Sequence, residues 1–459
     1  MFTTETDHSI PLYSLDRQAL DDWLKQAEPA QRRWVESSGF QPTAGKVLLV
    51  PDESGGIAAV LSGRGEGECL WALAHLPGQL PAGDYHLAGD WSTDDEDRQE
   101  KLLIGWGLGC YRFDRYKRQP AVEARLVLPD SLHKRVTTLV DASAMIRDLV
   151  NTPALDLGPA ELAAKAGQLA KAHDAAFEVI DGKRLENEFP AIHVVGQASD
   201  RPPCLIRMQW GDQAAPALAL VGKGVIFDTG GLDVKPGAGM VLMKKDMGGA
   251  AHVLGLASVI MSLGLKVNLR VYIPAVENAI SGNAYRPSDI IRTRNGTTVE
   301  IGNTDAEGRV VLSDALTLAC EEGAERVIDF ATLTGAARVA LGEDLPPLYA
   351  RSTDQARAIQ DLSFDIEDPL WHMPLFEGYR CQIQPAIADL SNSGTSKFGG
   401  SLTAALFLDH FVAPECDWMH LDIYAWNLGD RPGRPAGGEA QGLRTIWHWL
   451  ETQYTLKEP

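Results

Sequence analysis

Apolar and polar residues follow two different rhythms along the chain, and the change of rhythm divides it. Up to about Pro129, short apolar runs sit among glycine- and acid-rich loops, and "GKVLLVPD" and "ARLVLPD" read as strands. The segment "LHKRVTTLVDASAMIRDLVNTPA" then carries helical spacing through Val136, Leu139, Val140, Ala144 and Ile146. It stops at Asn151-Thr152-Pro153, because proline cannot continue a helix. This pattern predicts a linker helix over residues 131–153, between a smaller N-terminal domain (1–130) and a larger C-terminal one (154–459). "GPAELAAKAGQLAKAHD" predicts a further helix with Pro159 near its first turn.

After residue 200 short, largely apolar runs ("ALALVG", "LRVYIP", "RVIDFATL", "WMHLDI") alternate with helical stretches such as "GAAHVLGLASVIMSLG" and "SLTAALFLDHFV". Buried strands alternating with helices predict an α/β fold, a sheet with helices on both faces. In such sheets ligands collect at the carboxyl ends of strands. "GDRPGRPAGGEAQG" reads as a long loop near the end, and "WSTDDEDRQE" as an acidic, solvated connector. The glycines of "GWGLG" mimic a dinucleotide fingerprint only loosely, with the third glycine misplaced and no ribose-binding acid at the right distance.

Composition narrows the function classes. The 459 residues suffice for two or three domains, and 45% hydrophobic content is that of an ordinary globular protein. A formal charge of −20 disfavours broad binding to nucleic acid or an anionic membrane. Six cysteines without a CxxC pair predict reduced thiols. The start "MFTTETDHSI" has acids where a signal peptide carries lysines, and no window holds about 18 uninterrupted apolar residues, so a cytoplasmic protein without a membrane span is expected.

Chemistry concentrates in two stretches. "VGKGVIFDTGGLDVKPGAGMVLMKKDMGGAA" places Lys223, Asp228, Lys235 and Asp246 in one glycine-rich excursion after a strand. "NTDAEGRVVLSDAL" places Asp305, Glu307 and Arg309 at the entry to an apolar periodicity. Singly, each residue has a plain reading: Asp246 as a first-turn helix acid, Asp305 and Glu307 as solvated loop acids, Lys223 as a surface lysine. Together, four carboxylates in one pocket repel one another unless cations sit between them. Oxygen-rich clusters suit divalent ions, and a bridging carboxylate can serve two ions about 3.5–4 Å apart. Lys235 and Arg309 would add fixed positive charge for an anion.

These stretches, with "ENAISGNAYRPSDI" and "DFATLTGA" in matching order and spacing, closely resemble the leucyl aminopeptidase family, the dinuclear cytosolic M17 peptidases, of which "NTDAEGR" is the signature. The resemblance covers roughly residues 140–450. It implies a mixed, mostly parallel central sheet in a catalytic domain, and hydrolytic release of N-terminal residues from peptides. Lys223, Asp228, Asp246, Asp305 and Glu307 would hold two divalent ions, Zn or Mn foremost with Mg or Co also compatible. Lys235 would polarise the scissile carbonyl. Arg309 would hold bicarbonate as general base toward a metal-activated water. Met243, Asn303, Thr332, Leu333 and Gly335 would bind substrate, and the chain would form a homo-hexamer. A DNA-binding regulator and a dipeptidase are the alternatives on this fold. Where the family reads "HLDIAGTAW" this chain reads "HLDIYAWN", about one residue shorter. Tyr424 and Trp426 stand where small residues are usual, which predicts a preference for small or slim first side chains.

Overall fold

The structure, a computed structural model, describes residues 1–454 apart from 5, 7, 65–68 and 92–94. Its contacts group into two units, residues 1–144 with 429–436, and residues 145–428 with 437–459. The helix Asp130–Asn151 runs from the first into the second. Residues 429–436, within the long glycine- and proline-rich loop near the end, thus pack with the N-terminal unit.

The first unit holds a six-stranded sheet, in the order Phe2–Thr3, Ala124–Val127, Gly83–Ala88, Ile10–Leu15, Ile57–Gly63, Val47–Pro51. All neighbours are parallel except the last pair. The "GWGLG" glycines lie inside the helix Glu96–Cys110, where Gly105 and Gly109 press on the Leu70 and Ala74 carbonyls, so they serve packing and form no phosphate loop. That helix begins at an Asp95 cap; residues 92–94 of the acidic connector lie outside the described residues.

The second unit is built on a mixed, mostly parallel sheet. Its path runs Trp371–His372, Pro347–Ala350, Asp417–Asp422, Arg326–Ala331, Ala217–Gly222, Asn268–Asn278, Cys204–Trp210, Ala176–Ile180, with Gly224–Asp228 also paired to Asn268–Asn278. Asp417–Asp422, Arg326–Ala331, Ala217–Gly222 and Asn268–Asn278 are mutually parallel neighbours. Because helices cover both faces, Ala217–Gly222 is buried at every position, which is why it reads as a continuous apolar run. The helix Gly248–Leu263 is apolar nearly all round and buried along almost its whole length, as a core helix must be. By composition the stretch Gly237–Leu263 could cross a membrane, but 83% of its most apolar window is buried inside the protein. All six cysteines are free thiols.

The helix Glu307–Glu321 packs into the main core through Val310, Val311, Leu312, Ala315 and Leu316. It also carries the buried Asp314. Asp314 Oδ2 accepts from the amides of Ala191 (2.8 Å) and Ile192 (3.3 Å), and Oδ1 from that of Arg294 (2.8 Å). Burial pushes this carboxyl up to about 7, against the pull of those donors. A carboxyl whose folded pKa lies above its unfolded value contributes stability that is complete below about pH 4 and lost as pH rises through about 7. Asp314→Asn cannot ionise, so between pH 5 and pH 8 it should lose less stability than the wild type does, whatever its baseline cost. Urea titrations at the two pH values measure the difference. Equal losses would show that Asp314 is ionised throughout.

Candidate metal centre

Three loops leave the carboxyl ends of the parallel strands and meet. Lys223 follows Ala217–Gly222 directly, its amide donating to the Phe330 carbonyl of the next strand (3.0 Å). Asp228 ends the short strand Gly224–Asp228, in register with Asn278. The chain then turns through Gly230 (φ +88°) and Gly231 (φ +64°), left-handed conformations that side-chain-bearing residues resist. This turn brings Lys235 back over Asp228. Asp246 lies in the 3₁₀ turn Met243–Met247 that leads into Gly248–Leu263, so it precedes the helix it was expected to begin.

Asp305 sits in the turn before the helix that starts at Glu307. Gly308 is already inside that helix and φ does not single it out. A Cβ there would stand 2.5 Å from Lys223 Cε and 2.7 Å from its Nζ, so the glycine leaves room for the lysine.

The charges interlock. Lys223 Nζ lies 2.8 Å from Asp246 Oδ2 and 2.8 Å from Glu307 Oε1, and donates to the Thr332 carbonyl (3.0 Å). Lys235 Nζ lies 2.8 Å from Asp228 Oδ2 and also pairs with Asp305. Four carboxylates against two ammonium groups leave negative charge in excess. Its effect is visible on the acids. Burial, with repulsion from Asp246, pushes Asp228 up to about 6; burial, with repulsion from Asp228, pushes Glu307 up to about 7. Burial disfavours the charge on Lys223, yet Asp246, Glu307 and Asp228 outweigh it and hold the ammonium above the ordinary lysine range.

The donor set fits a divalent cation on three counts. Carboxylate oxygens of Asp228, Asp305 and Glu307 lie within 4.8 Å of one another. Buried oxygens of Asp246, Asp305 and Glu307 accept no hydrogen bond of good geometry, even where an ammonium is close by distance. Oxygen donors in this number are what hard divalent ions take. Arg309, two residues along the helix from Glu307, is 8% exposed, and its Nε has no hydrogen-bond acceptor among the described residues. Burial lowers its pKa to about 10, against the attraction of Asp422 and Glu307.

The other expected site residues fall around this cluster. Thr332 Oγ1 lies 2.8 Å from Asp246 Oδ1 and 3.0 Å from its carbonyl. The Leu333 amide donates to Asp422 Oδ1 (2.9 Å), and Gly335 opens the helix Gly335–Leu341. Met243 opens the 3₁₀ turn that holds Asp246. The Asn303 side chain is engaged in its own turn, accepting from the Asp305 amide (2.8 Å). Tyr424 and Trp426 each lie under a lysine, Lys245 and Lys244 respectively. Between them Ala425 takes a left-handed φ of +56°, which a residue with a Cβ resists.

Several supporting groups carry no signal of their own in the sequence pattern. Asn278 Nδ2 reaches Asp228 Oδ1 (2.8 Å) and the Thr304 carbonyl (3.0 Å), and Asp233 Oδ2 accepts from the Thr304 amide (2.7 Å). Asn392 holds the loop from behind through Gly302 and Asn303. Asn278 and Tyr285, whose hydroxyl donates to the Thr304 carbonyl (2.7 Å), both fall in "ENAISGNAY", so the family motif was the only available pointer to them.

Residues 144–447 match the model of the cytosol aminopeptidase family catalytic domain, and residues 10–129 that of the M17 aminopeptidase N-terminal domain. A probable cytosol aminopeptidase of Clostridium perfringens is 38% identical over 373 residues, 77% of this chain and 75% of that protein. Peptidase B of Pectobacterium carotovorum is 42% identical over 335 residues, 70% of this chain and 77% of that one. The crystal structure of a cytosol aminopeptidase from Coxiella burnetii superposes with a TM-score of 0.95 at 48% identity, covering 98% of both chains. A bottromycin maturation enzyme in complex with Mn gives 0.87 at 31% identity, covering 97% of this chain and 99% of that one.

If the cluster takes a divalent ion, Mn²⁺ should raise the unfolding midpoint of chelator-treated protein, with about 2.7 kcal/mol of added stability at a hundredfold excess over Kd. Glu307→Gln removes one anionic donor and should shrink the shift well below the wild-type value in the same thermal scans. An undiminished shift would place the ion elsewhere.

Proposed function

The chain belongs to the cytosol aminopeptidase family and is a peptidase, and from that premise we propose that it removes N-terminal amino acids from peptides by metal-assisted hydrolysis at the carboxylate–lysine cluster. The observation that carries this reading is the under-neutralised set of buried Asp228, Asp246 and Glu307 with half-buried Asp305. In this reading Lys223 and those four acids hold a pair of divalent ions; Mn is one candidate, because a structural neighbour is described in complex with it. When bound, the ions supply an acidified water and an electrophilic pull on the carbonyl, and bicarbonate supplies a base for the water's proton.

The chain's own residues do the rest. Lys223 stands as an ammonium between Asp246 and Glu307; to serve as an amine donor it must release its proton, and nearby cations favour that loss. Lys235, partly open to solvent, offers its ammonium to the scissile carbonyl oxygen as negative charge develops there. Arg309 keeps a buried, unshared Nε–H available for the bicarbonate. A free α-amine offers a lone pair that a bound ion would accept and an acylated nitrogen does not, so we read the enzyme as an exopeptidase.

We further read it as a cytoplasmic enzyme, on the names of its relatives, and as a homo-hexamer, on the family resemblance alone. DNA regulation is the weaker reading, given a net charge of −20.

Chelated protein reloaded with Mn²⁺ or Zn²⁺ should cleave leucyl-p-nitroanilide and leave the N-acetylated compound intact. Equal cleavage of both would rule out an exopeptidase. Lys235→Ala should lower kcat by about 10²–10³ with little change in KM, since its charge matters most in the transition state. A rise in KM alone would remove the oxyanion role.

A further inference from the structure

Two consecutive lysines stand just before Asp246, and they differ. Lys244 Nζ donates to the Asn151 carbonyl (2.6 Å) and lies 5.5 Å from the Trp426 ring centroid. Lys245 is 2% exposed, and among the described residues its ammonium makes no hydrogen bond and no ion pair. Its one close partner is the Tyr424 ring, 4.6 Å from the centroid. The Arg338 guanidinium lies 4.7 Å from the same centroid and donates to the Thr334 carbonyl (3.2 Å), without a carboxylate partner among the described residues. Two basic side chains therefore share one ring. A ring face attracts a cation only weakly, which does not replace the anion a buried charge ordinarily has.

The carboxylates nearby are already engaged. Asp246 faces Lys223 and Thr332. Asp422 accepts from the amides of Leu333 and Thr334 and from the Thr334 hydroxyl. Position gives the missing anion a meaning. Lys245 shares its turn with Met243 and Asp246, and Arg338 shares a helix with Gly335, where a Cβ would stand 3.5 Å from Arg338 Nη2. Thr332 ties the two elements together through Asp246. Met243, Thr332 and Gly335 are among the residues that the family resemblance assigns to substrate binding.

We infer that Lys245 and Arg338, held on the Tyr424 ring, select peptides whose first residue bears a carboxylate, aspartyl or glutamyl. The inference rests on the aminopeptidase reading. It also revises the expectation of small first side chains, which considered the volume of the Tyr424 ring and left out the two charges held on it. A side-chain carboxylate completes the cation pair with charge-assisted hydrogen bonds; the isosteric amide brings no charge.

The manganese-loaded enzyme is assayed on glutamyl, glutaminyl and alanyl p-nitroanilides. Wild type should favour glutamyl over glutaminyl in kcat/KM by about tenfold or more, the scale of one charge-assisted hydrogen bond. The ratio should collapse toward unity in Lys245→Met and in Arg338→Met, and persist in Lys245→Arg. Each ratio is taken within one preparation, so any loss of folded protein cancels. Alanyl turnover with no glutamyl preference overturns the inference and leaves the aminopeptidase reading standing. A glutamyl preference that survives both methionine variants overturns the assignment to these residues. Failure to cleave any of the three overturns the reading and the inference together.

Discussion

Mutual repulsion among three buried carboxylates and a half-buried fourth is the constraint around which the second unit is arranged. Burial makes each negative charge costly and each neighbour makes it costlier. Two lysines, threaded in from separate stretches of chain, reduce the imbalance without removing it. Everything that brings those acids together works against their electrostatics, so the frame has to be strong elsewhere. It is: Lys223, Asp228 and Thr332 issue from the strands of a sheet whose central strand is buried at every position.

The frame also explains local features that look arbitrary in isolation. Gly308 gives up a side chain inside a helix because the Lys223 stem crosses there. Gly230 and Gly231 accept left-handed conformations because the chain must return Lys235 over Asp228 within seven residues. Ala425 takes up a strained φ between Tyr424 and Trp426, and it packs so closely that a Cβ on Gly248 would stand 2.5 Å from its own.

Much of this was legible in the sequence. The strands and helices of the second unit declare themselves through long apolar runs, since burial on both faces leaves no polar positions to blur the pattern. The residues Lys223, Asp228, Asp246, Asp305 and Glu307 stand out because glycine-rich loops with several charges are unusual, and because the motif around Asp305 is specific. What stayed hidden was set by segments meeting in space. The Asn278 contact to Thr304, the Asn392 contact to Asn303 and the sharing of Tyr424 by Lys245 and Arg338 span tens of residues and obey no local period. Gly308 was legible as a glycine but not in its purpose, because the crossing lysine is visible only in three dimensions.

One amide has a wider consequence. Asn278 Nδ2 joins Asp228 to the carbonyl of Thr304, so the two acid-bearing loops are tied to each other by groups outside the donor set. Thr304 is fastened again to Gly230 and Asp233, and Tyr285 closes the same knot. The loops are thus held together by bonds that need no ion, unlike small domains that fold only around their metal. An ion entering such a rigid oxygen-rich frame is a guest, and one guest can be exchanged for another without unfolding the host. Its identity then follows the supply in the surrounding compartment as much as the preference of the protein. On the metal reading, the same chain would be a differently tempered catalyst in cells that are rich in different metals.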